Sequence, residues 1–119
     1  TPEGLCYTAT MDLIQECAST HSVFFINFSD GEPGCSYGFD GHYVNYHGEE
    51  AVRQTRNAVR AIKEAGIRVM SYFIKEYGDV HGYSRKTFTE MYGQDAEFVN
   101  VRNVTQVLRT LNKLLLVRD

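Results

Sequence analysis

Hydrophobic positions along the chain fall into blocks whose spacing alternates between the helical and the extended period. Thr1 and Pro2 read as an N-cap followed by the first helical position. Leu5, Ala9, Leu13 and Cys17 then recur four apart with Ile14 and Ala18 beside them, predicting one helix that ends near Ser19 or Thr20. Val23 to Phe28 is almost continuously apolar, as in a strand covered on both faces, and Ser29-Asp30-Gly31-Glu32-Pro33-Gly34 stops it. Cys35 to Gly48 reads as a loop rich in glycine, aromatics and histidine. From Glu49 to Ala65 a second helix sets Val52, Thr55, Val59 and Ile62 on one side and Arg53, Arg56, Arg60 and Lys63 mostly on the other, with Gly66 at the left-handed C′ position. Ile67 to Ile74 predicts a second strand, and Lys75 to Tyr83 another loop. Ser84 reads as the cap of a short helix carrying Phe88, Met91 and Tyr92 and closed by Gly93. Ala96 to Val99 is a short strand, after which Asn103 caps a last helix with Val104, Val107, Leu108, Leu111, Leu114 and Leu115 inward.

That order is the βαβ alternation of an α/β protein with a mostly parallel sheet. Three short strands make a thin sheet for so much apolar helix surface, so the doubly wound pattern looks half built. The length of 119 residues and mass of 13.6 kDa allow one domain. Fifteen acidic and twelve basic residues give −3 without a charge run, which offers no footprint for nucleic acid or anionic lipid. No apolar run approaches the roughly 20 residues of a membrane span. The opening TPEG shows no basic, apolar leader. Cys6, Cys17 and Cys35 are odd in number and contain no CxxC pair, so they are expected to be reduced and partly buried. The unpaired cysteines favour an intracellular, cytoplasmic place.

Several residues carry a family resemblance. Phe24-Phe25-Ile26-Asn27-Phe28-Ser29-Asp30-Gly31-Glu32-Pro33 resembles the central strand and following loop of von Willebrand factor A-type domains. Thr1-Pro2-Glu3-Gly4 resembles the threonine loop that opens a helix in that family, and Thr55 to Ile74, ending AIKEAGIRVMSYFI, its next helix and strand. The resemblance spans the chain but only the second half of a full domain, and it is nearest to bacterial, phage and cobalt-chelatase-like versions. It implies a Rossmann-like three-layer α/β sandwich that binds a protein partner through a divalent cation, usually Mg²⁺, at a metal-ion-dependent adhesion site. Thr1 matches that site's threonine and Asp30 its aspartate. Ser29 and Asp79 are accessory candidates, and the DxSxS stretch of the family is absent here.

Each assignment has a plainer alternative: Asp30 as an Asx-type turn residue and Thr1 as a simple cap. Glu32, Tyr37, Phe39, Asp40, His42, Tyr43 and His47 occupy loops expected at the same sheet edge, where interleaved aromatics suit partner contact. Cys35, His42 and His47 give C-x6-H-x4-H, which matches no established zinc pattern. No GxSxG, GxGxxG or GxxxxGK[ST] stretch points to catalysis. Three functions remain: a cation-dependent protein-binding module, a component of an AAA+ ATPase-associated metal chelatase or remodelling assembly, or a structural module without metal. A chain lacking the first strands of such a domain should expose a sheet edge and apolar helix faces. Upstream residues, another chain or oligomerisation would then have to cover them.

Overall fold

The computed structural model describes residues 1–74, 82–94, 96–98 and 104–116, with Phe39, Val104 and Leu114 described by backbone alone. Helices α1 (Glu3–Ala9) and α2 (Met11–Ala18) lead into strand β1 (Phe24–Ser29). A hairpin, β2 (Cys35–Phe39) and β3 (His42–Tyr46), precedes helix α3 (Gly48–Glu64) and strand β4 (Arg68–Phe73). Helix α4 (Tyr83–Tyr92), strand β5 (Glu97–Phe98) and helix α5 (Val104–Leu116) follow. β1, β4 and β5 form a parallel sheet in that order, and the hairpin is a separate antiparallel pair. The result is a mixed α/β fold with a small parallel sheet and flanking helices.

The two faces of the sheet follow from the period-2 alternation of side chains. Phe25, Asn27 and Ser29 share one face with their register partners Val69, Ser71 and Phe73. Phe73 meets Val52, Val59, Phe88, Met91 and Tyr92 there in a core supplied by α3 and α4. Tyr7 of α1 sets its ring edge-on to Phe25 at 5.0 Å on the same face. On the opposite face Phe28 stacks on Tyr72 at 5.1 Å, and the Tyr72 hydroxyl shares a 2.7 Å hydrogen bond with Thr110 of α5. This second face is thinly covered, leaving Ile26 39% and Phe28 52% exposed.

α3 confirms its pattern, since Val52, Thr55, Val59 and Ile62 are all buried and Gly66 takes φ 80°. Several expectations are corrected. The first helix is two, broken at Thr10, and no side-chain cap bond is made at its start, so Thr1 is not the cap. Its i+4 stripe does not face a core: Leu5, Leu13 and Cys17 are exposed, while Glu3 and Gly4 are buried. Helical period reports amphipathicity but not which neighbour exists to cover the stripe. The segment after Gly34 is a hairpin because Asp40-Gly41 takes φ 49° and 76°, both left-handed, the geometry of a tight two-residue turn. Ser84 lies inside α4 behind Gly82 rather than capping it, and Leu108 and Leu115 of α5 point outward. Cys6 and Cys17 are exposed rather than partly buried; with Cys35 they are free thiols. Asp79, the loop segment 75–81 around it, the Asn103 cap and Val99 lie outside the described residues.

α1 sits on α3 so closely that only glycine fits at position 4. A Cβ there would lie 2.5 Å from the Thr55 nitrogen and 2.7 Å from its Cα. That contact fixes where the first residues of the chain stand relative to the sheet.

Candidate functional site

β1 and β4 end in register at Ser29 and Phe73, and the turn after β1 opens at their shared C-terminal edge, where ligand sites of α/β sheets form. Four bonds shape the turn. The Gly31 N–H donates to Ser29 Oγ at 3.0 Å, and the Glu32 N–H donates to Asp30 Oδ1 at 2.9 Å. Thr87 Oγ1 of α4 donates to the Gly31 carbonyl at 2.6 Å, and the Thr1 amino group donates to the Gly34 carbonyl at 2.8 Å. Gly31 needs its φ of 77° and has no room besides, since a Cβ would stand 2.1 Å from the Ser84 carbonyl oxygen. The cleft so formed has a volume of about 340 Å³ and is lined by Thr1, Asp30, Glu32, His47 and Thr87 among others.

Beneath the cleft lies a buried polar network that joins three elements. Glu3, only 6% exposed, accepts hydrogen bonds from Ser29 Oγ (2.8 Å) and from the Tyr92 hydroxyl. Tyr92 in turn shares a 2.9 Å bond with the Tyr7 hydroxyl. Burial raises the Glu3 carboxyl above its ordinary value, an effect its bonds to Tyr92 and Ser29 partly offset. Burial likewise pushes the Tyr7 phenol up to about 12 and raises that of Tyr92 as well. Next to this network Asn27 accepts from Ser71 Oγ at 2.6 Å, while its buried Nδ2 makes no hydrogen bond among the described residues.

Thr1 and Asp30, 29 positions apart, line the same cleft, as does Glu32. Ser29 instead points inward to Glu3, so its hydroxyl is committed to the network. His47 lines the cleft and shares a 2.7 Å bond with Ser36 Oγ. Tyr37, Asp40, His42 and Tyr43 stand on the hairpin, exposed to solvent, with Tyr43 at 73%. Phe39 belongs to the same hairpin, in register with His42. Sequence alone gives Glu3, Tyr92 and Thr87 no role at the site. Glu3 and Thr87 lie 26 and 56 positions from their partners in the turn, and nothing in local pattern signals such bonds.

The donors at the cleft suit a hard cation. Thr1, Asp30 and Glu32 offer oxygen, the ligand class Mg²⁺ takes, and Mg²⁺ commonly keeps several waters. They fit the group as a partial set. Among the described residues no three His, Cys, Asp or Glu side chains converge on a common point, and Asp30 Oδ1 already accepts the Glu32 N–H. Among the described residues no helix is long and apolar enough to cross a membrane. Comparison with models of protein families, with characterised proteins and with solved structures finds no match to this chain.

Proposed function

We propose that the chain is part of a von Willebrand factor A-type domain that binds a partner protein through a divalent cation held at the cleft. The observation that carries this reading is the meeting of Thr1 and Asp30, matched to two ligand loops of that family, in one cleft at the C-terminal edge of a parallel sheet. Thr1 and Asp30, with Glu32 beside them, would hold Mg²⁺; the bound cation supplies a positive charge to which a partner carboxylate can add. The hairpin aromatics Tyr37 and Tyr43 stand exposed nearby in chain order and give the partner-selecting surface. With only two carboxylates and a hydroxyl from the protein, affinity for Mg²⁺ should be weak.

One observation favours the metal-free alternative. Asp30 already accepts the Glu32 N–H, the bond of an ordinary Asx turn. Isothermal titration with MgCl₂ separates the two. Saturable binding that Asp30→Ala removes supports the cation site, whereas an Asp30→Ala protein indistinguishable from wild type leaves Asp30 a turn residue.

A further inference from the structure

Thr1 and Asp30 reach the cleft from distant segments, and one buried side chain is tied to the chain beside both. Glu3 follows Thr1 by two residues in the first turn of α1, and its Oε1 accepts the hydroxyl of Ser29, the residue before Asp30, at 2.8 Å. Ser29 Oγ accepts in turn from the N–H of Gly31, the residue after Asp30, at 3.0 Å. The other Glu3 oxygen accepts from the Tyr92 hydroxyl, which shares a 2.9 Å bond with Tyr7 of α1. Both oxygens are committed, so α1, β1 and α4 together fix the carboxyl. Among the described residues it makes no ion pair and accepts from neutral hydroxyls. A carboxyl buried in this way is costly, and an apolar side chain would fill the same space at lower free energy. Its geometric effect is what such a filler would lack.

We propose that Glu3 is a positioning residue of the cleft, which through Ser29 Oγ and the Gly31 N–H sets the turn carrying Asp30 against the segment carrying Thr1. Two other anchors, Thr87 on the Gly31 carbonyl and the Thr1 amino group on the Gly34 carbonyl, hold acceptors of the turn. Glu3 acts on the donor side, at the bond that closes the turn around Asp30. Without its carboxyl the Ser29 hydroxyl is free to rotate. The Gly31 N–H then loses a fixed acceptor, and Asp30 its fixed place relative to Thr1. The consequence for Mg²⁺ rests on the proposed cation site; the consequence for the turn does not.

The test compares wild type, Glu3→Ala and Glu3→Gln in the full chain, by amide hydrogen exchange at Gly31 and by titration with MgCl₂. Glutamine is the conservative variant: its Oε1 still accepts from Ser29, and its Nε2 donates to the Tyr92 oxygen. Exchange at Gly31 is read relative to a buried α3 amide, that of Val59, so that a general loss of stability cancels. Glu3→Ala should speed Gly31 exchange about tenfold on that ratio and weaken Mg²⁺ binding by a similar factor, while Glu3→Gln stays within about twofold of wild type in both. If Glu3→Ala does not fold, Glu3→Asp, one methylene too short to span Ser29 and Tyr92, takes its place with the same expectation. A wild-type chain that binds no Mg²⁺, with Gly31 exchange still faster in Glu3→Ala, sinks the cation reading and leaves Glu3 as the residue that sets the turn. Gly31 exchange unchanged in Glu3→Ala, a glutamine variant as perturbed as the alanine one, or wild-type Mg²⁺ affinity that Glu3→Ala leaves intact overturns the assignment.

Discussion

Gly4→Ala tests how α1 is held, because two ordinary effects of the substitution have opposite sign. Alanine is the better helix former, so propensity alone predicts stabilisation by up to about 1 kcal/mol at an interior position. The packing predicts the reverse. The new Cβ would stand 2.5, 2.7 and 2.8 Å from three backbone atoms of Gln54 and Thr55, where ordinary contact begins near 3.4 Å. α3 is a 17-residue helix and its backbone has no rotamer to yield, so α1 must retreat by roughly 1 Å. Overpacking of this kind costs about 1–3 kcal/mol, and the helix-propensity gain offsets part of it. A net loss of about 1–2 kcal/mol follows, which lowers the melting temperature by roughly 4–8 °C for a chain of this size. Thermal unfolding by circular dichroism, with urea titration as a second readout, measures it. A Gly4→Ala protein as stable as wild type, or more so, would refute the close approach of α1 to α3. The placement of Thr1 at the cleft would fall with it.

Further outcomes follow from the core and the buried network. Phe88→Ala, at a fully buried ring 5.3 Å from Phe73 and 4.9 Å from Tyr92, should cost about 3–5 kcal/mol in urea unfolding. Leu116→Ala, at a residue 69% exposed, should stay within about 0.5 kcal/mol. Because burial raises the Glu3 carboxyl, the folded state holds that proton more tightly than the unfolded chain does. The stabilisation is complete below the ordinary value of 4.5 and is lost as the pH rises through the folded value, so Glu3→Gln should flatten that decline in a pH series of melting temperatures. Spectrophotometric titration near 295 nm should show Tyr7 ionising only near pH 12 and Tyr92 late as well. Tyr7 ionising at the ordinary phenol value of 10.0 would mean that its hydroxyl is not buried against Tyr92.

Local pattern exposed the parts of the fold that local physics decides. Val52, Thr55, Val59 and Ile62 recur at helical spacing and all are buried, and Gly66 closes α3 with the left-handed φ its position requires. The Asp30 turn was legible for the same reason, since an Asp-Gly pair after an apolar strand has few conformations open to it. The hairpin was equally local, yet its glycines and histidines obscured the Asp40-Gly41 turn signal between two aromatic runs. What pattern could not supply was tertiary. Leu13 and Leu115 look like core residues by spacing but are 62% and 57% exposed, while the charged Glu3 is buried. Its burial depends on Ser29 and Tyr92, 26 and 89 positions away, which only the folded chain brings together.

A divalent cation at the cleft shared by Thr1 and Asp30 can be located by adding Mn²⁺ to ¹⁵N-labelled protein and mapping paramagnetic broadening of the amide signals. A cation held there should broaden signals centred on Asp30, Gly31, Glu32 and Gly34, reaching Glu3 at the start of α1 and reversed by excess MgCl₂. Broadening centred on Asp40 at the hairpin tip or on Glu49 and Glu50, with the 30–34 turn unaffected, would contradict it.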